Sequence, residues 1–179
     1  MPPPSPPPAA LQPTIQATPD GWFSYQDSGL AVAFPSQPEL SPARWLAPNG
    51  AVMDGLMLIA SDPQRQDTSF GLTVTPLPTA LSDAELAPEL LASAKAQLLE
   101  RLQAILLSET QLTLSAATGL EFVFNGLGAE GPGWSYVVRL IIADGRLLQL
   151  MVTFPSSAML ERQAMEDAQR FFSSLQLPS

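Results

Sequence analysis

Cysteine and histidine are both absent from this 179-residue chain, and their absence excludes several kinds of chemistry. Without cysteine there is no disulfide, thiolate nucleophile, zinc–thiolate site or iron–sulfur cluster. Without histidine the chain lacks the commonest general base and the commonest transition-metal ligand. Ser–His–Asp and Cys–His catalysis are therefore excluded, and Lys95 is the single lysine. We expect no catalytic residues, no cofactor and no metal site.

Basic residues are also scarce: eight lysines and arginines stand against 17 aspartates and glutamates, so the formal net charge is −9. Proteins bind nucleic acids by neutralising phosphates with lysine and arginine, and the basic residues here are scattered along the chain. The charge balance therefore argues against nucleic acid and against an anionic membrane surface as partners. No apolar run reaches the roughly 18 residues of a spanning helix, so we expect no membrane span.

Proline, by contrast, is abundant, and eight of the 19 prolines lie within residues 1–20. A run such as PPPSPPP favours the polyproline II conformation, which predicts a disordered leader that acts as a spacer. A second interpretation, a ligand for an aromatic groove on another domain, stays open. The leader also lacks the basic and apolar segments of a signal peptide. Residues 21–179 are rich in apolar residues and predict a single folded domain.

Apolar residues that alternate along the chain predict most of this domain as β-strands. Residues 38–48 contain three prolines, which predict a loop. Asp144-Gly145 is the strongest hairpin-turn signal. On the flanking strands, Arg139, Gln149 and Thr153 alternate with apolar residues, which predicts a sheet with one buried and one wet face. The predicted strands are an opening hairpin at 22–35, two strands at 51–61 and 69–75, and a meander at 111–115, 120–125, 135–143 and 146–154.

Apolar residues at three-to-four spacing predict two helices, at residues 82–107 and 157–174. Ser82 and Glu85 match a capping box at the start of the first helix. Pro88 predicts either a kink in that helix or a start at Pro88 after a separate turn. The order of elements predicts an α+β fold, with an antiparallel sheet of about six to seven strands packed with two main helices.

Three stretches of this chain resemble the PsbP-like superfamily, which includes extrinsic PsbP-type proteins of photosystem II and a Ran-binding nuclear import factor. They are the aromatic hairpin from Trp22 to Pro35, the phrase GLEF at 119–122, and the closing phrase AQRFFSSL from Ala168 to Leu175. The resemblance implies a PsbP-like fold over roughly residues 20–177. No functional residue carries over from the family position by position.

The resemblance also implies a role: a non-catalytic interaction or assembly module, acting as an accessory or extrinsic subunit of a larger photosynthetic or envelope complex. It implies protein partners. It places the chain in a thylakoid lumen, or in a bacterial envelope or periplasm, if an upstream leader is removed, and otherwise in the cytoplasm. An alternative from a different class stays open, in which a cleft between sheet and helices binds a small ligand or a cation.

Three residues are candidates for partner contact: Trp45, Trp134 and Glu130. The two tryptophans lie at loop or strand edges, where an aromatic side chain either binds a partner or packs into the core. Glu130 lies in GLGAEGPG at 126–133, whose glycines fit the GxGxxG pattern of dinucleotide-binding sites. A strand pattern rather than a helix follows, so the stretch predicts a mobile hairpin connection with Glu130 solvated at its tip.

Overall fold

A computed structural model describes residues 13–65, 67–114, 117–128, 131–157 and 162–178, and shows two antiparallel sheets and two α-helices among them. This confirms the predicted α+β fold. The helices are α1 (Ala87–Arg101) and α2 (Arg162–Ser173). The strands are β1 (Thr14–Ala17), β2 (Phe23–Asp27), β3 (Leu30–Phe34), β4 (Glu39–Leu46), β5 (Val52–Ser61), β6 (Ser69–Pro76), β7 (Ile105–Leu114), β8 (Ala117–Gly128), β9 (Gly131–Ala143) and β10 (Arg146–Pro155).

The strands form a small sheet in the order β1-β2-β3 and a large sheet in the order β4-β5-β6-β10-β9-β8-β7. Two of the predicted hairpins are confirmed, and both turn through residues with positive φ: Ser28 (48°) and Gly29 (84°), and Asp144 (48°) and Gly145 (65°). A two-residue turn in which both residues have positive φ matches the right-handed twist of antiparallel strands. Asp and Gly adopt positive φ readily, which is why Asp-Gly favours such a turn.

Helix α1 begins at Ala87 with Pro88 in its first turn. The N–H groups of a first turn have no partner within the helix, so the N–H that proline lacks is not needed there. Two short 3-10 turns precede it, so the interpretation with a separate turn and a start near Pro88 is confirmed. The predicted capping box does not form, because the Ser82 hydroxyl donates to the carbonyl of Pro78 at 3.0 Å. The helix thus begins about five residues later than its apolar pattern suggested.

The same helix also ends earlier than predicted. It stops at Arg101, and Gln103 has a φ of 48°, a left-handed conformation that a helix cannot continue through. Ile105 then opens β7, opposite Asn125 of β8. The apolar residues at 105–107 continue the helical spacing by coincidence, and the prediction of helix there is wrong.

The prediction of a loop around the prolines at 38–48 is also wrong, because Glu39–Leu46 forms β4 at one edge of the large sheet. The Ala47 N–H donates to the Ala51 carbonyl at 2.9 Å. Counting back from Ala47, every second residue of β4 directs its backbone N–H and C=O groups toward β5, and the residues between them direct theirs outward. By the alternation of an antiparallel ladder, the N position of Pro42 points outward. An edge strand tolerates proline there because no ladder bond is lost.

Strand β1 lies within the predicted leader. It pairs with β2, with Ile15 opposite Tyr25, and Ile15 packs against the core. These four residues of the predicted disordered leader are therefore part of the fold. The extent of the leader before them stays a prediction.

Both faces of the large sheet carry a cluster of buried apolar residues, which contradicts the prediction of one wet face. On one face, the α1 face, α1 packs against residues that include Phe122, Phe124 and Leu140. On the opposite face, the α2 face, the small sheet and α2 cover a second apolar cluster, in which Phe70 and Phe171 have ring centroids 5.4 Å apart. Cross-strand register explains the error. The apolar set of β9 that includes Val138 and Leu140 lies on the α1 face, whereas the apolar set of β10 that includes Leu148 and Leu150 lies on the α2 face.

Arg139 shows how a charged side chain fits this two-sided burial. It lies on the α2 face, where its guanidinium group stands over the Phe172 ring, 4.7 Å from the centroid. Its Nε atom donates to Glu121 Oε2 at 2.6 Å. The ring and the carboxylate together satisfy a cation that the sequence pattern alone places in water.

Candidate functional site

A groove of about 680 Å³ lies on the α1 face, beside α1 and above β5, β6 and β10. The large sheet is about 29 Å wide, at about 4.8 Å between neighbouring strands. A helix is only about 10 Å across, so one helix cannot cover that width. Because α1 packs over β8 and β9, the half of the face that includes β5 and β6 stays open.

The floor of this groove, called the α1 groove below, is built from three cross-strand rows. The rows are Ile59–Gly71–Met151, Met57–Thr73–Gln149 and Thr75–Leu147. Residues of β6 on this face are small or polar, whereas the alternate residues Phe70, Leu72 and Val74 are large, apolar and buried on the α2 face. The walls come from the second half of α1 and from β4: Ala94, Gln97, Leu98, Glu100, Arg101, Pro42, Ala43, Arg44 and Trp45.

Trp45 is the part of the groove with an unmet hydrogen-bonding group. Its side chain is half-buried against the cluster under α1. Its indole Nε1–H is buried and makes no hydrogen bond to any residue that the structure describes. Most buried polar groups in proteins are paired, so this unpaired donor in a side chain that lines the groove is an exception. A bound acceptor reaches the buried Nε1–H only if the indole ring shifts toward the groove.

The charges at the rim differ in how far they are neutralised. Arg44 Nε and Asp54 Oδ1 are 3.1 Å apart, and both side chains are largely exposed, at 78% and 79%. Such an exposed pair contributes little to stability. Arg101 lies in the last turn of α1, beside Glu100, and forms no ion pair within the described ranges. Arg101 is therefore the cation that the groove offers to an anionic group.

The backbone edge of β4, next to the groove, is closed to another strand. Pro42 removes a donor from the middle of this edge. At its end, Gln97 Nε2 of α1 donates to the outward-pointing Leu46 carbonyl at 2.6 Å. A partner that enters the groove must therefore be recognised through side chains, and β-strand addition at β4 is disfavoured.

The structure separates the three residues that the sequence suggested for partner contact. Trp45 lines the α1 groove. Trp134 is half-buried at the start of β9 on the same face, packs against the cluster under α1, and does not line the groove. Strands β5, β6 and β10 lie between β4 and β9. Glu130 lies outside the described residues.

The glycine-rich stretch belongs to the hairpin between β8 and β9. Gly126 lies opposite Trp134, and Gly128 lies opposite Gly131, so strand pairing continues up to the connection. A side chain at Gly126 would come within 3.2 Å of the Leu102 carbonyl, which accounts for this glycine by close packing at the end of α1. Strand β9 follows the stretch where a dinucleotide site would need a helix N-terminus.

Sequence reasoning missed the floor of the groove. Its signal is the alternation along β6, where Gly71, Thr73 and Thr75 share one face and large apolar residues share the other. A strand at the centre of a sheet that is small and polar on one face leaves space above that face. The pattern was visible in the sequence, but which element lies above it depends on the tertiary fold.

Two further structural findings bear on function. Among the described residues, no three histidine, cysteine, aspartate or glutamate side chains come together in a group that could hold a metal ion. Neither α1 nor α2, the α-helices in the described part of the chain, is long and apolar enough to cross a membrane.

Comparison with known proteins identifies the fold. The chain is similar to the solution structure of cyanobacterial PsbP (CyanoP) from Synechocystis sp. PCC 6803, with a TM-score of 0.52 over 92% of each chain. The two sequences are 12% identical. No family model and no curated protein matches the sequence. The chain therefore has a PsbP-like fold, as the sequence phrases implied.

Proposed function

We propose that this chain is a non-enzymatic interaction and assembly module, and that the α1 groove is where it holds a protein partner. The observation that carries the proposal is the groove itself, because it combines a mainly apolar lining with an unpaired cation and an unmet indole donor. Surface concavities with a few convergent polar groups are the usual sites of recognition. The chain also lacks the histidine and cysteine that most catalytic sites use.

The chemistry of the groove defines the partner. Met57 and Met151 offer flexible apolar contacts beside Ile59, which suit apolar side chains of varied shape. Arg101 suits a carboxylate, and the Trp45 indole N–H suits a carbonyl or carboxylate oxygen. We infer an extended apolar segment of a partner protein that carries an acidic group opposite Arg101. Recognition rests on side chains, since the β4 edge is closed.

The PsbP-like fold supports a more specific role. The similar chain is a cyanobacterial PsbP, and the extent of the structural likeness covers nearly all of both chains. We propose that this protein is an accessory or extrinsic subunit of a larger photosynthetic or envelope complex, with its proline-rich leader as a spacer. At 12% identity the likeness supports this role through the fold alone.

Site-specific photo-crosslinking in the native source tests the proposal. A photo-reactive amino acid in place of Thr73, on the groove floor, is expected to capture a defined partner, and Arg101→Glu in the same chain is expected to reduce that capture. The matched control carries the photo-reactive residue at Gln163, which is exposed on α2 on the other side of the molecule. Equal products from both positions, or none from Thr73, would contradict the proposal.

A small organic ligand is the second candidate for the same groove. Its volume, about 680 Å³, falls within the range of roughly 300–1,000 Å³ typical of ligand pockets. A ligand that binds only the native fold raises the melting temperature, and the shift keeps growing with the logarithm of the ligand concentration above the dissociation constant. A melting screen with small metabolites would support this candidate if the shifts disappear in Thr73→Trp, which fills the groove. A screen without shifts removes it.

A further inference from the structure

Strand β7 is an edge of the large sheet whose side chains lie largely in water. Every residue from Ile105 to Gln111 is exposed, including three consecutive apolar side chains. Ile105 is 71% exposed, Leu106 39% and Leu107 53%. No described element covers the outer side of β7, which is the last strand in the sheet order. A long exposed edge with apolar residues is a template for pairing with another strand.

The two edges of the large sheet differ in their protection. At β4, Pro42 and the Gln97 bond to the Leu46 carbonyl close the backbone edge. Strand β7 contains no proline. Its one charged residue, Glu109, is 2.5 Å from Lys95 Nζ of α1, so the edge is locally neutral. Neutrality and free backbone groups are what an incoming strand requires.

We propose that β7 pairs with β7 of a second copy of this chain, antiparallel across a two-fold axis, so that two seven-stranded sheets become continuous. Directly opposed residues of an antiparallel pair point to the same face of the sheet. In a pair of identical strands related by a two-fold axis perpendicular to the sheet, one residue therefore lies on the axis, opposite its own copy. Two registers align nearly the whole strand, and they centre on Glu109 or on Thr110. The first opposes two carboxylates, so charge favours the register centred on Thr110.

The Thr110 register is self-complementary along the strand. Glu109 of each copy lies opposite Gln111 of the other, an amide that can donate to its carboxylate. Leu106 and Leu107 come alongside the Thr113–Leu114 end of the second copy, where Leu114 is half-buried. The β-bulge between Leu106 and Ser108 shifts the local pairing by one residue and adds to the twist. The exposed apolar start of each strand is thereby covered by the other strand's end.

The overall charge gives this dimer a recognisable salt dependence. Each copy carries −9, so two copies repel at long range although their β7 edges are neutral. Salt screens that repulsion and leaves backbone and apolar contacts nearly unchanged. We expect the dissociation constant of the dimer to fall as ionic strength rises, the reverse of an interface held by ion pairs.

Sedimentation velocity of the full chain, over a range of concentrations at low and high salt, tests the dimer. Thr110→Lys opposes two lysines across the axis and is expected to raise the dissociation constant roughly three- to tenfold. We expect the Thr110→Lys variant to fold, because the new lysine lies opposite Glu121 of β8 in the same chain. Gln111→Lys adds the same charge at the next position, but opposite Glu109 of the other copy, and is expected to leave dimerisation equal or stronger.

Leu40→Lys, an equal change of charge at the exposed β4 edge, is the control for a non-specific effect and is expected to leave dimerisation unaltered. A chain that stays monomeric at every concentration and salt overturns the proposal. So does a dimer that Thr110→Lys and Leu40→Lys affect alike, or one that Gln111→Lys disrupts as strongly as Thr110→Lys. A β7 edge that binds only a strand of a different protein also overturns it. None of these outcomes bears on the α1 groove, which lies near the other edge.

Discussion

Tyr25 carries an unpaired polar group inside the core. Its side chain is fully buried on the α2 face, and its hydroxyl lies near the charges of Asp27 and Arg146 without a well-formed hydrogen bond to any described residue. A buried hydroxyl without a partner loses its hydration and gains nothing in return. We expect Tyr25→Phe to be no less stable than the wild type, and up to about 1 kcal/mol more stable, in denaturant unfolding at neutral pH. A clear loss of stability would show that the hydroxyl has a partner.

The same residue predicts how the fold responds to alkali. Burial raises the pKa of Tyr25 from 10 to about 12, and the charge of Asp27 adds to the rise. Below pH 10 neither the folded nor the unfolded state ionises, so stability is unaffected. Between pH 10 and 12 only the unfolded state loses its proton, so folding is weakened by up to about 2–3 kcal/mol as pH rises.

Unfolding curves measured from pH 8 to 12 would follow this loss. Tyr136 is the other tyrosine, and burial raises its pKa as well. We therefore expect Tyr25→Phe to reduce the alkaline loss and Tyr136→Phe to reduce it separately. A Tyr25→Phe protein whose stability falls with pH as steeply as the wild type's would contradict the assignment.

Gly55 is required by the close approach of β5 to β6. A Cβ atom at this position would lie 2.6 Å from the Val74 carbonyl oxygen, closer than backbone atoms allow. We expect Gly55→Ala to cost about 2–4 kcal/mol of unfolding free energy, because strand or neighbour must shift. Gly71 on β6 is the matched control, since the nearest atoms to its Cβ would be 3.8 Å away. Gly71→Ala should be tolerated; equal losses would refute the steric explanation.

At the scale of elements, a buried carboxylate joins the turn after β5 to α2. Asp62 is 4% exposed, accepts backbone N–H bonds from Gln64 and Arg65, and accepts two bonds from the Arg65 guanidinium. Arg65 also reaches Asp167 of α2 at 2.5 Å. Removing Asp62 takes the acceptor from two backbone N–H groups and two hydrogen bonds from the Arg65 guanidinium, although Arg65 keeps Asp167, and this costs far more than an exposed pair is worth.

We therefore expect Asp62→Ala to lower the unfolding free energy by about 3–5 kcal/mol, whereas Asp167→Ala lowers it by about 1 kcal/mol. Arg65 keeps its bonds to Asp62 in the second variant. Denaturant unfolding of both variants measures the difference. If the two losses were equal, the pair with α2 rather than the turn would carry the stability.

Elements with strong local signals could be predicted from the sequence. The Asp144-Gly145 turn needs two positive φ angles, which Asp and Gly adopt readily, and the strands beside it alternate clearly. Elements whose state depends on neighbours could not. Strand β4 forms despite Pro42 because it lies at an edge of the sheet. The first residues of β7 continue the helical spacing of α1, but they form a strand because the helix has already ended by Gln103. Edge position and helix ends are settled by packing and strand order.

At the scale of the molecule, the α1 groove could be predicted only in general terms. The sequence leaves a cleft between sheet and helices as one of two alternatives, and it indicates Trp45 as a candidate for partner contact. Its neighbours Thr73 and Gln149 come from β6 and β10, which lie 76 positions apart and become adjacent only through the order of strands. The width left uncovered by α1 follows from where the helix packs, which no local pattern encodes.

Residues 1–12 are predicted to act as a spacer before the fold, and truncation tests this prediction. Removing residues 1–12 is expected to change the unfolding free energy by less than about 0.5 kcal/mol, as for surface changes away from packed groups. Removing residues 1–17 also removes β1, its ladder with β2 and the packing of Ile15 against the core. That deletion is expected to cost about 1–3 kcal/mol.

Both truncated chains retain all three tryptophans, so fluorescence-detected denaturant unfolding compares them directly with the full chain. The expected difference in unfolding free energy between the two deletions comes from the partial burial of Ile15 and from the four residues of β1 that pair with β2. If the shorter deletion already causes the whole loss, the proline-rich segment packs on the domain and is no spacer. If neither deletion has an effect, β1 contributes nothing and the stable fold begins at β2.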